Sequence, residues 1–289
     1  MQLDESTGSV LQATAQHSEQ QGHYLATACD LAYYDQAEGE IKFREQLNLA
    51  GRLVSVDNTQ AWVGENAGSI VIAFRGSESP TTIDGFKDWL LTNARNFLVL
   101  PEGRIGTDFA AAGVGARFHR GFMEALDEIW NPLLVAIEEA LQRKERPIWV
   151  TGHSLGGAIA LLAAWRLHQK FISIHRIVTF GAPMIGNNAA AEAFHREFPN
   201  RVIRYVDSFD MVPKLPTMSL LSNEYDHVQL EIKLGDDSQE SAAQRIASLA
   251  AAAAENLDEA TSMNLWGQLH AGISSHLMGN YIARISERL

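Results

Sequence analysis

A serine with a glycine two residues away on either side sits inside one of the most apolar stretches of the chain, VTGHSLGGAIALLAAW, residues 150–165. Ser154 follows Gly152 and His153 and precedes Leu155, Gly156 and Gly157. G-x-S-x-G between a β-like run and an Ala/Leu-rich helix is the pattern of a strand that turns sharply into a helix. A side chain at either glycine would clash as the two elements fold together. The turn strains the serine backbone and lifts its hydroxyl clear at the carboxyl end of a sheet. It also sets the serine at a helix N-terminus, where unsatisfied N–H groups favour developing negative charge. A serine hydroxyl is a weak nucleophile at neutral pH. It needs an imidazole to take its proton and a carboxylate to hold that imidazole in the right tautomer. Residues of these types in this pattern point to acyl transfer.

The elements that must position this serine follow from the hydrophobic pattern. Residues 10–36 read as a helix with Leu25, Ala28, Cys29 and Ala32 on one face. RLVSVD, QAWVGEN and SIVIAFRG read as successive strands, with ENAG as a turn. A long helix is predicted over 119–144, with Pro132 as a kink. Then come the strand RPIWVTG, the helix GAIALLAAWRLHQ, the strand HRIVTFGAP, the helix NAAAEAFHREF and the strand RVIRYVD. This alternation at βαβ spacing predicts a parallel sheet with helices on both faces. HVQLEIKL reads as the last strand. Residues 238–262 read as an Ala-rich helical insertion with a thin stripe at Ile246, Leu249 and Leu257, and SHLMGNYIARISERL as a final helix capped by Ser274 or Ser275. With no repeat and no linker, residues 1–289 read as one domain.

Five blocks, FRGSES (74–79), HRGF (119–122), VTGHSLGGAIALLAA (150–164), VTFGAPMIGN (178–187) and DMVPKLP (210–216), resemble in order the class 3 lipases, the fungal-type triacylglycerol lipases. The resemblance implies an α/β-hydrolase fold, a central, mostly parallel sheet with helices on both faces. In that fold the triad runs Ser, then Asp or Glu, then His. Asp207 and Asp210 both lie just past RVIRYV. The family's acid sits in a D-x-V-P context, which selects Asp210. Asp207 remains the alternative, with capping of the loop as its structural role. His227, His270 and His276 follow the acid. His276 stands where a loop meets the last helix, and SHLMGNYI is similar to the family's His-containing start of that helix. His270 and His227 remain alternatives, His227 with the pattern of a strand histidine. His119 and His153 precede the acid and read as structural.

The oxyanion formed on attack needs preset donors. One is the N–H of Leu155, directly after the nucleophile. The other is expected from Arg75-Gly76-Ser77, and the resemblance assigns it to Ser77, through its backbone N–H supported by its hydroxyl. The resemblance also implies a helical lid over 78–100 covering an apolar acyl groove. Trp89 and Leu90 are its candidate substrate contacts, with fixed core positions as the alternative. The Ala-rich helix is a second candidate cover.

These residues imply a serine ester hydrolase that cleaves acylglycerol esters through an acyl-serine, without metal or organic cofactor. Alternatives on the same fold are a phospholipase A1, a feruloyl-type esterase or a short-chain carboxylesterase. A further alternative is a non-catalytic lipid- or partner-binding protein. The net charge of −12 argues against nucleic acid as a partner and against electrostatic docking on anionic lipid. Contact with a lipid interface would be apolar and transient. Cys29, the one cysteine, forms no intrachain disulfide and reads as a packing thiol. MQLDESTGSV lacks the layout of a signal peptide. A cytoplasmic site is the default expectation, or a secreted one if a signal segment was removed or export is signal-independent.

Overall fold

A computed structural model describes residues 10–11, 16–77, 98–99, 108–214, 225–235 and 274–289. Helix α1 spans Glu19–Leu31 and starts at Ser18, whose hydroxyl and Gln21 form a capping box. The single helix expected over 10–36 is therefore shorter. It is followed by a second helix, α2 (Gln36–Leu47), capped by Asp35, that the sequence reading missed. Only Gly39, Phe43 and Leu47 of α2 are buried, a stripe too thin to stand out in QAEGEIKFREQL.

Strands β1 (Ala50–Val56), β2 (Thr59–Glu65) and β3 (Ile70–Phe74) form an antiparallel meander. After the short strands β4 (Leu98–Val99) and β5 (Phe118–His119), helix α3 (Arg120–Arg143) passes through Pro132 without a break. The βαβ succession expected from the sequence follows. It comprises β6 (Ile148–His153), α4 (Leu155–Gln169), β7 (Ile174–Phe180), β8 (Gly186–Asn187), α5 (Asn188–Glu197) and β9 (Val202–Asp207). Strands β10 (Tyr225–Asp226) and β11 (Leu230–Leu234) and helix α6 (Met278–Ser286) complete the described chain.

Seven strands form one sheet in the order β1-β2-β3-β6-β7-β9-β11, parallel from β3 onward. Helices α3, α4 and α5 cover one face over Ile72, Phe74, Val150 and Ile177. Helices α1, α2 and α6 cover the other over Val71, Ala73, Trp149 and Val178. Burial on both faces is why the parallel strands read as near-continuous apolar runs. Cys29 is fully buried, its sulfur 3.1 Å from Thr151 Oγ1.

Two expectations at the end of the chain need correction. The last strand is Leu230–Leu234, so His227 lies in the connection before it, where its Nε2 reaches the Pro213 carbonyl at 2.6 Å. Neither Ser274 nor Ser275 caps the final helix. Residues 274–276 make a separate helical turn, and Leu277 takes the cap position of α6 without a side-chain bond. A second small sheet, β10-β8-β5-β4, is built from two-residue strands, too short to leave a periodic signal. The Ala-rich stretch 238–262 lies outside the described residues.

Candidate active site

The elbow forms where β6 meets α4. A side-chain carbon on Gly152 would stand 2.2 Å from the Gly156 carbonyl oxygen, so the turn closes only with hydrogen at that position. Ser154 adopts φ 56° and ψ −131°, a conformation that costs a non-glycine residue about 1–3 kcal/mol. The site is fixed by its surroundings: Ser154 N–H donates to the Phe180 carbonyl at 3.0 Å, and its own carbonyl accepts from Gly157 N–H at 2.9 Å. Leu155 opens α4, so its N–H belongs to the first turn, which has no helix carbonyl to bond.

Asp210 and His276 converge on this serine. His276 Nε2 lies 2.8 Å from Ser154 Oγ, and His276 Nδ1 lies 2.8 Å from Asp210 Oδ2. Ser154 and His276 are each 7% exposed and Asp210 is fully buried. With Nδ1–H given to the carboxylate, Nε2 carries the lone pair that faces the serine hydroxyl. Asp210 accepts two further bonds, from Val212 N–H to Oδ1 at 2.9 Å and from the Tyr281 hydroxyl to Oδ2 at 2.6 Å. Burial, reinforced by the charge of Asp210, raises the Tyr281 phenol, so it remains a donor. Gly181, just past β7 at φ 57°, lies under this cluster. A side-chain carbon there would stand 2.7 Å from Asp210 Oδ2 and 3.1 Å from His276 Nδ1. The sequence reading missed both Tyr281 and Gly181. Tyr281 stands five residues after His276 in SHLMGNYI, and Gly181 stands in VTFGAP.

The other candidates separate cleanly. Asp207 accepts from Phe209 N–H and Asn280 Nδ2 and pairs with Arg284, with no histidine bonded to it among the described residues. His227 is held by Pro213, and burial with the nearby Arg204 charge pushes it down to about 3. His119 is buried and stacked on Phe122. His153, also buried, is pushed down to about 3 by desolvation and by the neighbouring His276, so it stays neutral. Ser77 lies on the loop after β3. That loop runs against the elbow, since a carbon on Gly76 would stand 3.2 Å from Ser154 Cβ. His270, Trp89, Leu90 and the candidate lid 78–100 fall outside the described residues, apart from the backbone of 98–99. A cavity of about 1030 Å³ opens at the opposite end of the sheet, beside Ile148, Ile174 and Arg201 at the amino ends of their strands.

A serine on a strand-to-helix elbow, a histidine on a later helical turn and an aspartate past an intervening strand define an α/β-hydrolase. The chain belongs to the class 3 lipase family, whose description, Lipase (class 3), matches residues 71–220, just over half of it. His276 lies beyond that match. Over 186 residues the chain is 28% identical to the secreted mono- and diacylglycerol lipase 3 of Gibberella zeae, covering 62% of this chain and 55% of that protein. Over 170 residues it is 27% identical to the chloroplastic phospholipase A(1) DAD1 of Arabidopsis thaliana, covering 56% and 36%. The chain thus spans about half or less of the length of these relatives. The fold superposes on the Rhizomucor miehei lipase propeptide complex with a TM-score of 0.59 and 24% identity, covering 75% of this chain and 66% of that one.

Proposed function

We propose that this chain is a serine hydrolase of carboxylic esters, acting on acylglycerols. The observation that carries this reading is the unbroken line from Asp210 Oδ2 through His276 to Ser154 Oγ, with both links at 2.8 Å. As Ser154 Oγ attacks the ester carbonyl, its proton passes to His276 Nε2, and the imidazolium is stabilised by Asp210. The carbonyl oxygen becomes an oxyanion held by the N–H groups of Leu155 and Ser77, where the loss of one donor raises the barrier by about 3–4 kcal/mol. Collapse breaks the bond to the alkoxy oxygen, which leaves as the alcohol with the proton from His276. Water, deprotonated by His276, then attacks the acyl-serine. The acid is released and the proton returns to Ser154 Oγ. A protonated His276 cannot begin the cycle, so activity falls on acidification.

The relative named a mono- and diacylglycerol lipase supports acylglycerol substrates. The relative named a phospholipase A(1) supports a second reading on the same triad, cleavage of a phospholipid ester. A lipase-like protein that only binds would not need three groups within hydrogen-bond reach. The Gibberella relative is named as secreted, which supports action outside the cell over the cytoplasmic default. Among the described residues no helix is long and apolar enough to cross a membrane, and contact with lipid is read as transient.

The test is hydrolysis of p-nitrophenyl esters, diacylglycerol and phosphatidylcholine by wild type and Ser154→Ala. The expected outcome is a loss of at least about a thousandfold in kcat for the variant. Equal rates would remove the serine assignment. Preference for phosphatidylcholine over diacylglycerol would move the substrate to the second reading.

A further inference from the structure

Three parts of the site come from distant segments: the oxyanion loop at 75–77, the elbow at 152–156 and the histidine at 276. Two hydrogen bonds and one close packing contact tie them together through a residue outside all three. Tyr33, just past α1, lies with its hydroxyl 3.0 Å from His153 Nδ1. His153 Nε2 lies 2.6 Å from the backbone carbonyl of His276. The rings of His153 and His276 stand 4.7 Å apart. Gly76 packs closely on this hydroxyl, since a side-chain carbon on Gly76 would stand only 2.4 Å from the Tyr33 oxygen.

Elementary valence fixes the proton in both hydrogen bonds. The His276 carbonyl can only accept, so His153 Nε2 carries the proton. His153 is neutral, so its Nδ1 is a bare lone pair and the Tyr33 hydroxyl must donate to it. The Tyr33 oxygen itself lies against Gly76 of the oxyanion loop. Both bonds point the same way, from Tyr33 to the backbone of His276, and bonds so aligned polarise one another.

We infer that Tyr33 is a positioning residue for ester hydrolysis: acting through His153, it holds the oxyanion loop and His276 at a fixed separation across the elbow. This rests on the serine-hydrolase reading for its kinetic consequence, but not for its structural one. His153 does not exchange protons with the substrate. Its neutral ring keeps a second positive charge away from His276 when that residue becomes an imidazolium.

The experiment pairs kinetics with the tautomer of His153. Wild type and Tyr33→Phe are compared on a soluble p-nitrophenyl ester, and imidazole nitrogens are observed by NMR in 15N-histidine-labelled protein. Tyr33→Phe is expected to lower kcat by about tenfold with KM within about twofold, since alignment in the transition state is lost and binding is not. Wild-type His153 is expected to show a protonated Nε2 and a bare Nδ1 from pH 5 to 9, a signature lost or averaged in Tyr33→Phe. Wild-type protein with Nδ1 protonated overturns the inference even if the variant does not fold. A folded variant with kcat within twofold of wild type also overturns it. Failure of the serine reading registers separately, as activity retained by Ser154→Ala.

Discussion

Asp207 and Asp210 are the same residue type, three positions apart at the end of one strand, and both are fully buried beside the C-terminal helix. Their surroundings give them different work. Asp207 meets a guanidinium, Arg284 Nε at 3.2 Å, and the Asn280 amide, both from α6. Its charge is compensated and holds that helix against β9. Asp210 meets an imidazole and a phenol, His276 at 2.8 Å and Tyr281 at 2.6 Å, with no lysine or arginine paired to it among the described residues. In the proposed reaction its charge is available to an imidazolium when one forms. On the proposed reading, the partner, more than the residue type or its burial, decides which carboxylate anchors and which one orients a base.

The sharpest way to separate the two is to neutralise each. Asp210→Asn presents an amide N–H or a weak acceptor to His276 Nδ1 and favours the wrong tautomer. Steady-state kinetics should show kcat falling by about 10⁴-fold with the fold intact. Asp207→Asn leaves donors facing Arg284 and Asn280. It should keep kcat within about tenfold but lower unfolding stability by roughly 1–3 kcal/mol in urea denaturation. The reverse pattern would exchange the two roles. Next in size is Gly181→Ala, whose new methyl would press between Asp210 and His276. It should cut kcat by about a hundredfold while KM changes little, because displacing the pair by an ångström is enough.

The smallest effect concerns pH and the histidines that are not expected to react. Burial lowers His17 to about 4 and His153 and His227 to about 3. Each is neutral in the folded chain but takes a proton in the unfolded chain below about 6.5. From there down to about pH 4 the unfolded state binds more protons, so stability rises with pH and is lost on acidification. Each such group contributes up to about 1.4 kcal/mol per pH unit. Urea unfolding at pH 5 and pH 6 should show this slope, and His227→Gln should reduce it. An unchanged slope would mean that His227 is already protonated in the folded chain.

What could be read from the sequence follows the same division. The elbow was legible because its constraint is local, set by Gly152, Ser154 and Gly156 within five positions. The alternating βα order was legible because the parallel strands are apolar on both faces. The choice between Asp207 and Asp210 was not legible from the strand itself. Arg284 and Tyr281, which settle their surroundings, arrive about 70 residues later on α6. Gly181 and Tyr33 were silent for the same reason, since each matters only through groups from other segments. Helix α2 was missed because its apolar stripe is thin, and the cap of α6 because a separate turn at 274–276 stands where a serine cap was expected.

The most direct measurement is covalent labelling with a fluorophosphonate, which needs an activated serine but no particular ester, followed by peptide mass analysis of the adduct. The account predicts one adduct, on Ser154, formed rapidly in wild type and slowed by at least a hundredfold in His276→Ala. A folded protein that gains no adduct, or gains it on another residue, would contradict it.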